Sequence, residues 1–428
     1  MNLPVSRMVW LRLATIFLSL TRYRAARKWL ARISNRCEPQ ARTTAYLGSN
    51  RTLVIDVSVI HWSDAGTGVQ RVVRSILRNI GDAVARDITV RLAVATSSTF
   101  YRYVNHDGSL TDEYVNLRQG DVFLGLDLST HIVYRYKWQL LDWKLNGARI
   151  HFLVYDLLPL TNPGGFRKAR VKHFAKWASV VAIFSDSVLC ISHCVENDAR
   201  TWLGVVSDLS GSSLRSVVVP LGSELMLTHK DVEDASTTRL LDELKDQPWV
   251  LMVGTLEPRK AYSEVLDAFD ILWMNEDSPA LVIVGKPGWK VDRLKARILT
   301  HPLHGRKLYW LASATDSDLD AIYRDATGVL AASFAEGYGL PLAEAMLYGC
   351  SVLARDIPVF REVTKGKAEY FSDVAADLLA LKLNNWIRTV NKKKRHYGLG
   401  DSATWTDSAR FISAAIGVCD TILANSRK

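Results

Sequence analysis

Residues 249–254 read WVLMVG, five apolar side chains closed by a glycine, with no polar residue to mark a solvent-facing side. A run this short, apolar at odd and even positions alike, fits a strand covered on both faces. The chain then changes period, and an apolar stripe predicts a helix from Tyr262 to Trp273. Four more runs of the first kind follow at ALVIVG (280–285), KLYWLA (307–312), GVLAAS (328–333) and SVLARD (351–356). Buried strands separated by helices imply a parallel sheet with helices on each side.

The same pattern stands earlier in the chain. RTLVIDVSV (51–59) reads as a buried strand and GVQRVVRSILRNI (68–80) as a helix with an apolar stripe. Strands are then expected in ITVRLAVA (88–95), DVFLGLD (121–127), RIHFLVYD (149–156), SVLCIS (187–192) and SVVVPLG (216–222). The polar stretch HKDVEDASTTRLLDELKDQPW (229–249) separates the two series. The fold class is therefore α/β, two tandem Rossmann-like domains, and ligands of such sheets bind at the carboxyl ends of the strands, here in an expected interdomain cleft. The expected divisions are a basic arm (1–45), a first domain with its linker (46–240), a second domain (241–400) and a terminal helix (401–428) built on SARFISAAIGVCDTIL.

A chain of 428 residues is long for one hydrophobic core, which agrees with two domains. Its net charge of +10 attracts phosphate in nucleic acid, lipid or a phosphorylated substrate. The aromatic residues are not grouped on a basic sheet and no nucleic-acid module is recognisable, so no nucleic-acid partner is expected. Five sparse cysteines argue against a disulfide framework, and Cys190, His193 and Cys194 lack a fourth ligand at zinc spacing. Between Met1 and Cys37 there are eight basic residues and no acid. The apolar run MVWLRLATIFLSL (8–20) is short of the roughly 20 residues a spanning helix needs, and no Ala-x-Ala cleavage site follows it. It reads as an interfacial helix with a cationic face, with a helix packed on the domain as the alternative.

Four stretches carry chemistry. In AEGYGLPLAEAM (335–346), Glu336 lies in the loop after a strand, Pro341 suits the first turn of a helix, and Glu344 falls within that turn. Gly337 and Gly339 let backbone amides approach a ligand. Two acceptors for hydroxyls beside a helix amino-terminus fit a sugar nucleotide, although an acid such as Glu344 also serves the helix dipole. In VGTLEPRKAYSEVLDAF (253–269), Gly254 allows a tight exit from the strand, and Arg259 with Lys260 can meet a diphosphate. DAGTGVQRVVRSI (64–76) lacks the full dinucleotide spacing, yet Gly66 and Gly68 permit close backbone approach. Asp156, in VYDLLPL (154–160), either orients an acceptor hydroxyl or caps the next turn, and the sequence leaves both open. The Asp-x-Asp of TDSDLD (315–320) precedes a helix, so capping is expected there and no metal site.

Taken together these residues resemble a known family. EGYGLPLAE matches the E-x(7)-E motif of the retaining nucleotide-sugar glycosyltransferases of family four, and TGVQR, DLLPL, SVLCIS, VGTLEPRK and ARDIPVFREV are similar to its other landmarks in the same order, over about residues 50 to 420. The resemblance implies the glycosyltransferase-B fold, with the acceptor on the first domain and the donor on the second. It implies that Glu336 contacts hydroxyls of the donor sugar, Glu344 the ribose, and Arg259 with Lys260 the diphosphate. Backbone at Gly337, Tyr338, Gly339 and Leu340 would hold sugar and phosphates, with Gly254, Thr255 and Gly68 lining the site. Thr255 stands where many relatives carry an arginine, which leaves the cationic work to Arg259 and Lys260. Tyr155-Asp156 stands where many have His-Asp, so the acceptor-side base stays open.

The implied activity is metal-independent transfer of a hexose, mannose or a deoxyhexose such as rhamnose, from a nucleotide diphosphate sugar, a GDP-sugar being favoured. No cofactor beyond that donor is expected. The expected acceptor is a lipid-linked saccharide in bacterial surface polysaccharide assembly, reached by peripheral contact with an anionic membrane at its cytoplasmic face. A sugar-nucleotide epimerase of the same fold is the alternative enzyme.

Overall fold

The computed structural model describes residues 5–20, 51–207, 214–225, 227, 233–372, 375–390 and 403–419. The chain forms two compact units, Met1–Leu221 with Trp405–Lys428, and Gly222–Thr404.

The first unit is built on β1 (Arg51–Asp56), β2 (Ile88–Val94), β3 (Arg102–Val104), β4 (Leu110–Tyr114), β5 (Val122–Gly125), β6 (Arg149–Val154), β7 (Ser187–Cys190) and β8 (Arg215–Val218), in the order β4-β3-β2-β1-β5-β6-β7-β8. All pairs from β2 to β8 are parallel, and the β3–β4 hairpin adds antiparallel at one edge. Leu53, Val54 and Ile55 are each fully buried, so successive residues of β1 are covered on opposite faces. The edge hairpin was not evident in the sequence because its strands are short and carry Arg102, Asp112 and Glu113, charges of the kind that blunt an exposed edge.

The expected strand 51–59 stops at Asp56, and Ser58–Trp62 is helical. The reason is tertiary: Asp127, just past β5, accepts the backbone N–H of Val59 and of Ile60 through Oδ2, both at 2.7 Å. A carboxylate there satisfies first-turn donors that a strand would have sent to a neighbour. The helix Gly68–Ile80 has the expected bounds. Thr67 and Gln70 form a capping box, and Val72, Val73, Ile76 and Ile80 make its buried stripe.

The amino-terminal helix, Val5–Leu20, turns Leu11 and Thr15 inward, and the Arg12 guanidinium lies 5.6 Å from the ring of Trp138 on the helix Lys137–Leu145. Val9, Trp10 and Leu13 face outward, 49%, 47% and 61% exposed. The rest of the arm, residues 21–50, lies outside the described residues. Among the described residues no helix is long and apolar enough to cross a membrane. The terminal helix is Trp405–Ala415, earlier and shorter than SARFISAAIGVCDTIL suggests, and it belongs to the first unit. Ser408 donates to the Pro220 carbonyl at 2.7 Å and Thr406 to Asn79 at 2.8 Å.

The second unit holds β9 (Trp249–Val253), β10 (Ala280–Val284), β11 (Leu308–Leu311), β12 (Gly328–Ala331), β13 (Ser351–Arg355) and β14 (Glu369–Phe371). Their order is β11-β10-β9-β12-β13-β14, parallel throughout. The chain works outward from β9 to β11, then crosses back to β12 and works outward the other way. The loops after β9 and β12 therefore leave a topological switch point in opposite directions, where open sheets of this kind bind ligands. The polar stretch expected as a separator contains the helix Ala235–Leu244, capped by Asp234 and burying Leu240 and Leu244. Its charges occupy the outer face, which hid the stripe.

Candidate active site

The loops at the β9/β12 switch point carry Arg259, Lys260 and Glu336. Gly254 closes β9 at φ 144°, where a side chain would be strained, and a Cβ there would lie 3.3 Å from the end of the Lys260 side chain. The bare backbone thus lets Lys260 lie across the strand exit. Tyr262 pins that exit by donating to the Gly254 carbonyl at 2.7 Å. Pro258–Lys260 is a single 3-10 turn ending at Ala261, itself at φ 58°.

From that turn Arg259 reaches Glu336 Oε2 through Nη1 at 2.5 Å and Glu257 Oε1 through Nη2 at 2.6 Å. Lys260 Nζ reaches Glu336 Oε1 at 2.5 Å. The backbone adds two ties, Phe334 N–H to the Arg259 carbonyl at 2.8 Å and Arg259 Nη1 to the Ala335 carbonyl at 2.9 Å. The Glu336 side chain is 9% exposed. Burial pushes its carboxyl pKa up, but Arg259 and Lys260 outweigh that and hold it at about 2. Glu336 is thus an obligate acceptor at neutral pH, suited to hydroxyl donors and unable to act as a general acid. Burial, with Glu336 and Glu257 nearby, pushes the Tyr262 hydroxyl pKa up, which keeps it a neutral donor.

A small pocket, open to solvent, is lined by Lys260, Tyr262, Ser333, Glu336, Gly339 and Phe360. Gly339, at φ 111°, caps the helix Leu340–Leu347, and a Cβ on it would press on the Phe360 ring at 3.1 Å. Pro341 lies in the first turn, as expected, and the N–H groups of Leu342 and Ala343 close on the Gly339 carbonyl, so the helix turns its positive dipole end to the pocket that Gly339 lines. Tyr338 is mostly buried, and burial with Glu362 pushes its hydroxyl pKa up to about 12. Glu344 behaves differently from Glu336. It shares a helix face with Leu340, four residues earlier, is 1% exposed, and its Oε2 accepts from the Tyr323 hydroxyl at 2.7 Å. Tyr323 stacks on Tyr348 with centroids 5.3 Å apart.

In the first unit, Asp156 follows β6 and its Oδ1 accepts the backbone N–H of Leu158 at 3.1 Å, the geometry of a cap on the turn Leu158–Thr161. Tyr155, beside it, is buried and donates to the Leu126 carbonyl at 2.7 Å. Gly68 is the first residue of its helix and is exposed. Thr315 and Asp318 form a capping box, and Asp318 also accepts the backbone N–H of Asp234 at 2.8 Å. Among the described residues no group of three or more His, Cys, Asp or Glu is placed to hold a metal ion.

Sequence reasoning passed over a second carboxylate group, at the β1/β5 edge of the first unit. Asp56 is fully buried and accepts from Ser58 Oγ and Ser129 Oγ, each at 2.5 Å, and from the Tyr101 hydroxyl at 3.0 Å. Burial pushes its pKa up to about 6 against the hydrogen bonds from Ser129 and Ser58. The available signal was that RTLVID and DVFLGLD both end on aspartate at neighbouring strand exits. Glu257 was also missed, although it stands in the same short motif as the cations it pairs.

Comparison with known proteins agrees with this geometry. A family model described as "Glycosyl transferases group 1" matches residues 239–398, the part that holds the switch point. The serotype-specific mannosyltransferase WbdA of Escherichia coli is 33% identical over 374 residues, covering 85% of this chain and 46% of that protein. The chain thus spans less than half the length of this curated relative. Among solved structures, the Candida albicans trehalose-6-phosphate phosphatase N-terminal domain superposes with a TM-score of 0.60 at 11% identity, covering 87% of this chain and 98% of that one. Anabaena Alr3699/HepE in complex with UDP gives 0.54 at 15% identity, covering 88% and 98%. At these identities the two structures establish likeness of fold. The chain thus has the glycosyltransferase-B fold, and the stretch that carries Arg259, Lys260 and Glu336 is the one that matches the glycosyl transferases group 1 model.

Proposed function

We propose that this protein moves a hexosyl group, mannose being the first choice, from a nucleotide diphosphate sugar to a saccharide acceptor in bacterial surface polysaccharide assembly. The observation that carries the reading is the Arg259–Lys260–Glu336 cluster at the β9/β12 switch point. Cleavage of the glycosyl-phosphate bond puts negative charge on the diphosphate and positive charge on the sugar ring. Arg259, Lys260 and the positive dipole end of the helix Leu340–Leu347 are preorganised for the first, and ionised Glu336, with lone pairs to spare after its two ion pairs, for hydroxyls beside the second. Fixed cations can stabilise the departing diphosphate, so the proposed reaction is metal-independent. Retention of configuration follows from the resemblance to family four. Mannose as the sugar has its support in the mannosyltransferase relative, and GDP is proposed as the nucleotide on the similarity of VGTLEPRK to mannosyl-transferring members of family four.

The acceptor is proposed to be lipid-linked and the protein to sit peripherally on the cytoplasmic face of an anionic membrane. Supporting this are the outward Trp10 and Leu13 and the exposed cations Arg167, Lys168, Arg170, Lys172 and Lys176 around the first turns of the helix Lys168–Phe184, which has no acidic residue. The deciding experiment incubates the protein with GDP-mannose and mannose oligosaccharides in excess EDTA, following GDP release and product mass. Expected are a product one hexose heavier and GDP that accumulates only with acceptor. Acceptor-independent conversion of the sugar nucleotide would favour the epimerase reading, and activity lost in EDTA and restored by manganese would overturn metal independence. A nucleoside diphosphate at 100 times its Kd should also stabilise the fold by about 2.7 kcal/mol in thermal unfolding.

A further inference from the structure

β13 lies beside β12 and ends on Arg355, a charged residue that is only 6% exposed. Its Nε donates to the Ala332 carbonyl at 2.7 Å, while Nη2 is buried without a hydrogen-bond partner. Burial of an incompletely satisfied cation is costly, so a fold retains one where it does work that an apolar side chain cannot do. The guanidinium lies 4.1 Å from the ring centroid of Phe334 and 5.2 Å from that of Phe371. It therefore grips the chain on both sides of Ser333, by the carbonyl before it and the ring after it.

We infer that Arg355 is a positioning residue for the donor site, fixing the exit of β12 so that Glu336 meets Arg259 and Lys260. The path is short. Phe334, although 42% exposed, is held by its ring on Arg355 and by its N–H on the Arg259 carbonyl. Ala335 accepts from Arg259, and Glu336 follows immediately with both ion pairs. A flat cation can bond a carbonyl in its own plane and cover an aromatic face at the same time, which an ammonium cannot do equally well.

The inference rests on the proposed transfer for its catalytic consequence but not for its structural one, so two readouts separate them. Amide hydrogen exchange of peptides within residues 332–340 tests the strut without any turnover. In the 428-residue chain, Arg355→Met is expected to speed exchange there about 10-fold while peptides of β9 and β10 stay unchanged. With GDP-mannose, kcat is expected to fall about 10-fold or more with the acceptor KM unchanged, the signature of a displaced reacting group. Arg355→Lys should recover part of both effects, Phe334→Ala should act in the same direction, and combining Phe334→Ala with Arg355→Met should add little to either. Unchanged exchange in Arg355→Met, or fully additive effects in the double variant, would overturn the inference. Should Arg355→Met not fold, Arg355→Lys and Phe334→Ala carry the test alone. Absence of turnover in the unmodified protein would sink the proposed function and leave the exchange test standing.

Discussion

Each unit places carboxylates at the switch point of a parallel sheet, and the two points have opposite electrostatics. At β9/β12 Glu336 is wedged between Arg259 and Lys260 and held ionised at about 2. At β1/β5 Asp56 meets three hydroxyls and the Ser58 backbone N–H but no cation, Asp127 meets backbone N–H groups, and burial raises both pKa values, that of Asp56 to about 6. Both acids are deeply covered, so burial does not distinguish them; the neighbours do. A carboxylate paired with cations remains a charged tool at the mouth of a pocket, whereas one surrounded by hydroxyls becomes scaffold. That contrast leaves a permanently charged acid at the second unit's edge, while in the first unit Asp127 shapes the turn Ser58–Trp62.

The most severe way to break the contrast is Glu336→Gln. Loss of one preorganised polar group should lower turnover by about 10²-fold or more with the fold retained; unchanged kcat in steady-state kinetics would remove Glu336 from the site. The next test uses pH. The folded pKa of Asp56 lies above its ordinary value of 3.8, so its contribution to stability is complete below that value and is lost as pH rises through about 6, a change on the order of 3 kcal/mol. For Glu336 the sign reverses: the contribution is complete above its ordinary value of 4.5 and is lost as pH falls toward about 2. Urea unfolding from pH 4 to 8 should therefore show a decline in the unmodified protein that Asp56→Asn lacks. If the variant still declines through pH 6, the titrating group lies elsewhere.

The smallest expected effect sharpens the contrast among cations. Those of the second unit's site are paired inside a pocket, whereas Arg170 and Lys172 of the first unit are exposed on a helix free of acids. If the latter face anionic lipid at about 1 kcal/mol each, replacing both by alanine should weaken binding to phosphatidylglycerol vesicles about 30-fold and leave binding to phosphatidylcholine unaffected. Equal flotation of both proteins would remove this helix from the membrane contact.

Much of the fold was legible in the chain because its signals are local. WVLMVG, ALVIVG and SVLARD became β9, β10 and β13 to within a residue, and Thr67 with Gln70 fixed the start of the helix Gly68–Ile80. The elements that escaped notice lack such signals. The β3–β4 hairpin is short and charged, and the helix Ser58–Trp62 forms under apolar residues of high strand propensity because Asp127, 68 residues away from Val59, takes its amides.

The site divides in the same manner. By itself the sequence determined that cations and an acid would leave strands at one end of a parallel sheet, since strand exits, glycines and a first-turn proline are written in adjacent residues. Only the tertiary structure decided that Arg259 and Lys260 close on Glu336, that Glu344 turns to Tyr323, and that Arg355 supports the loop between, because such contacts depend on strand order. The order β11-β10-β9-β12-β13-β14 makes neighbours of residues 76 positions apart, and hydrophobic period carries no information on which strand lies beside which.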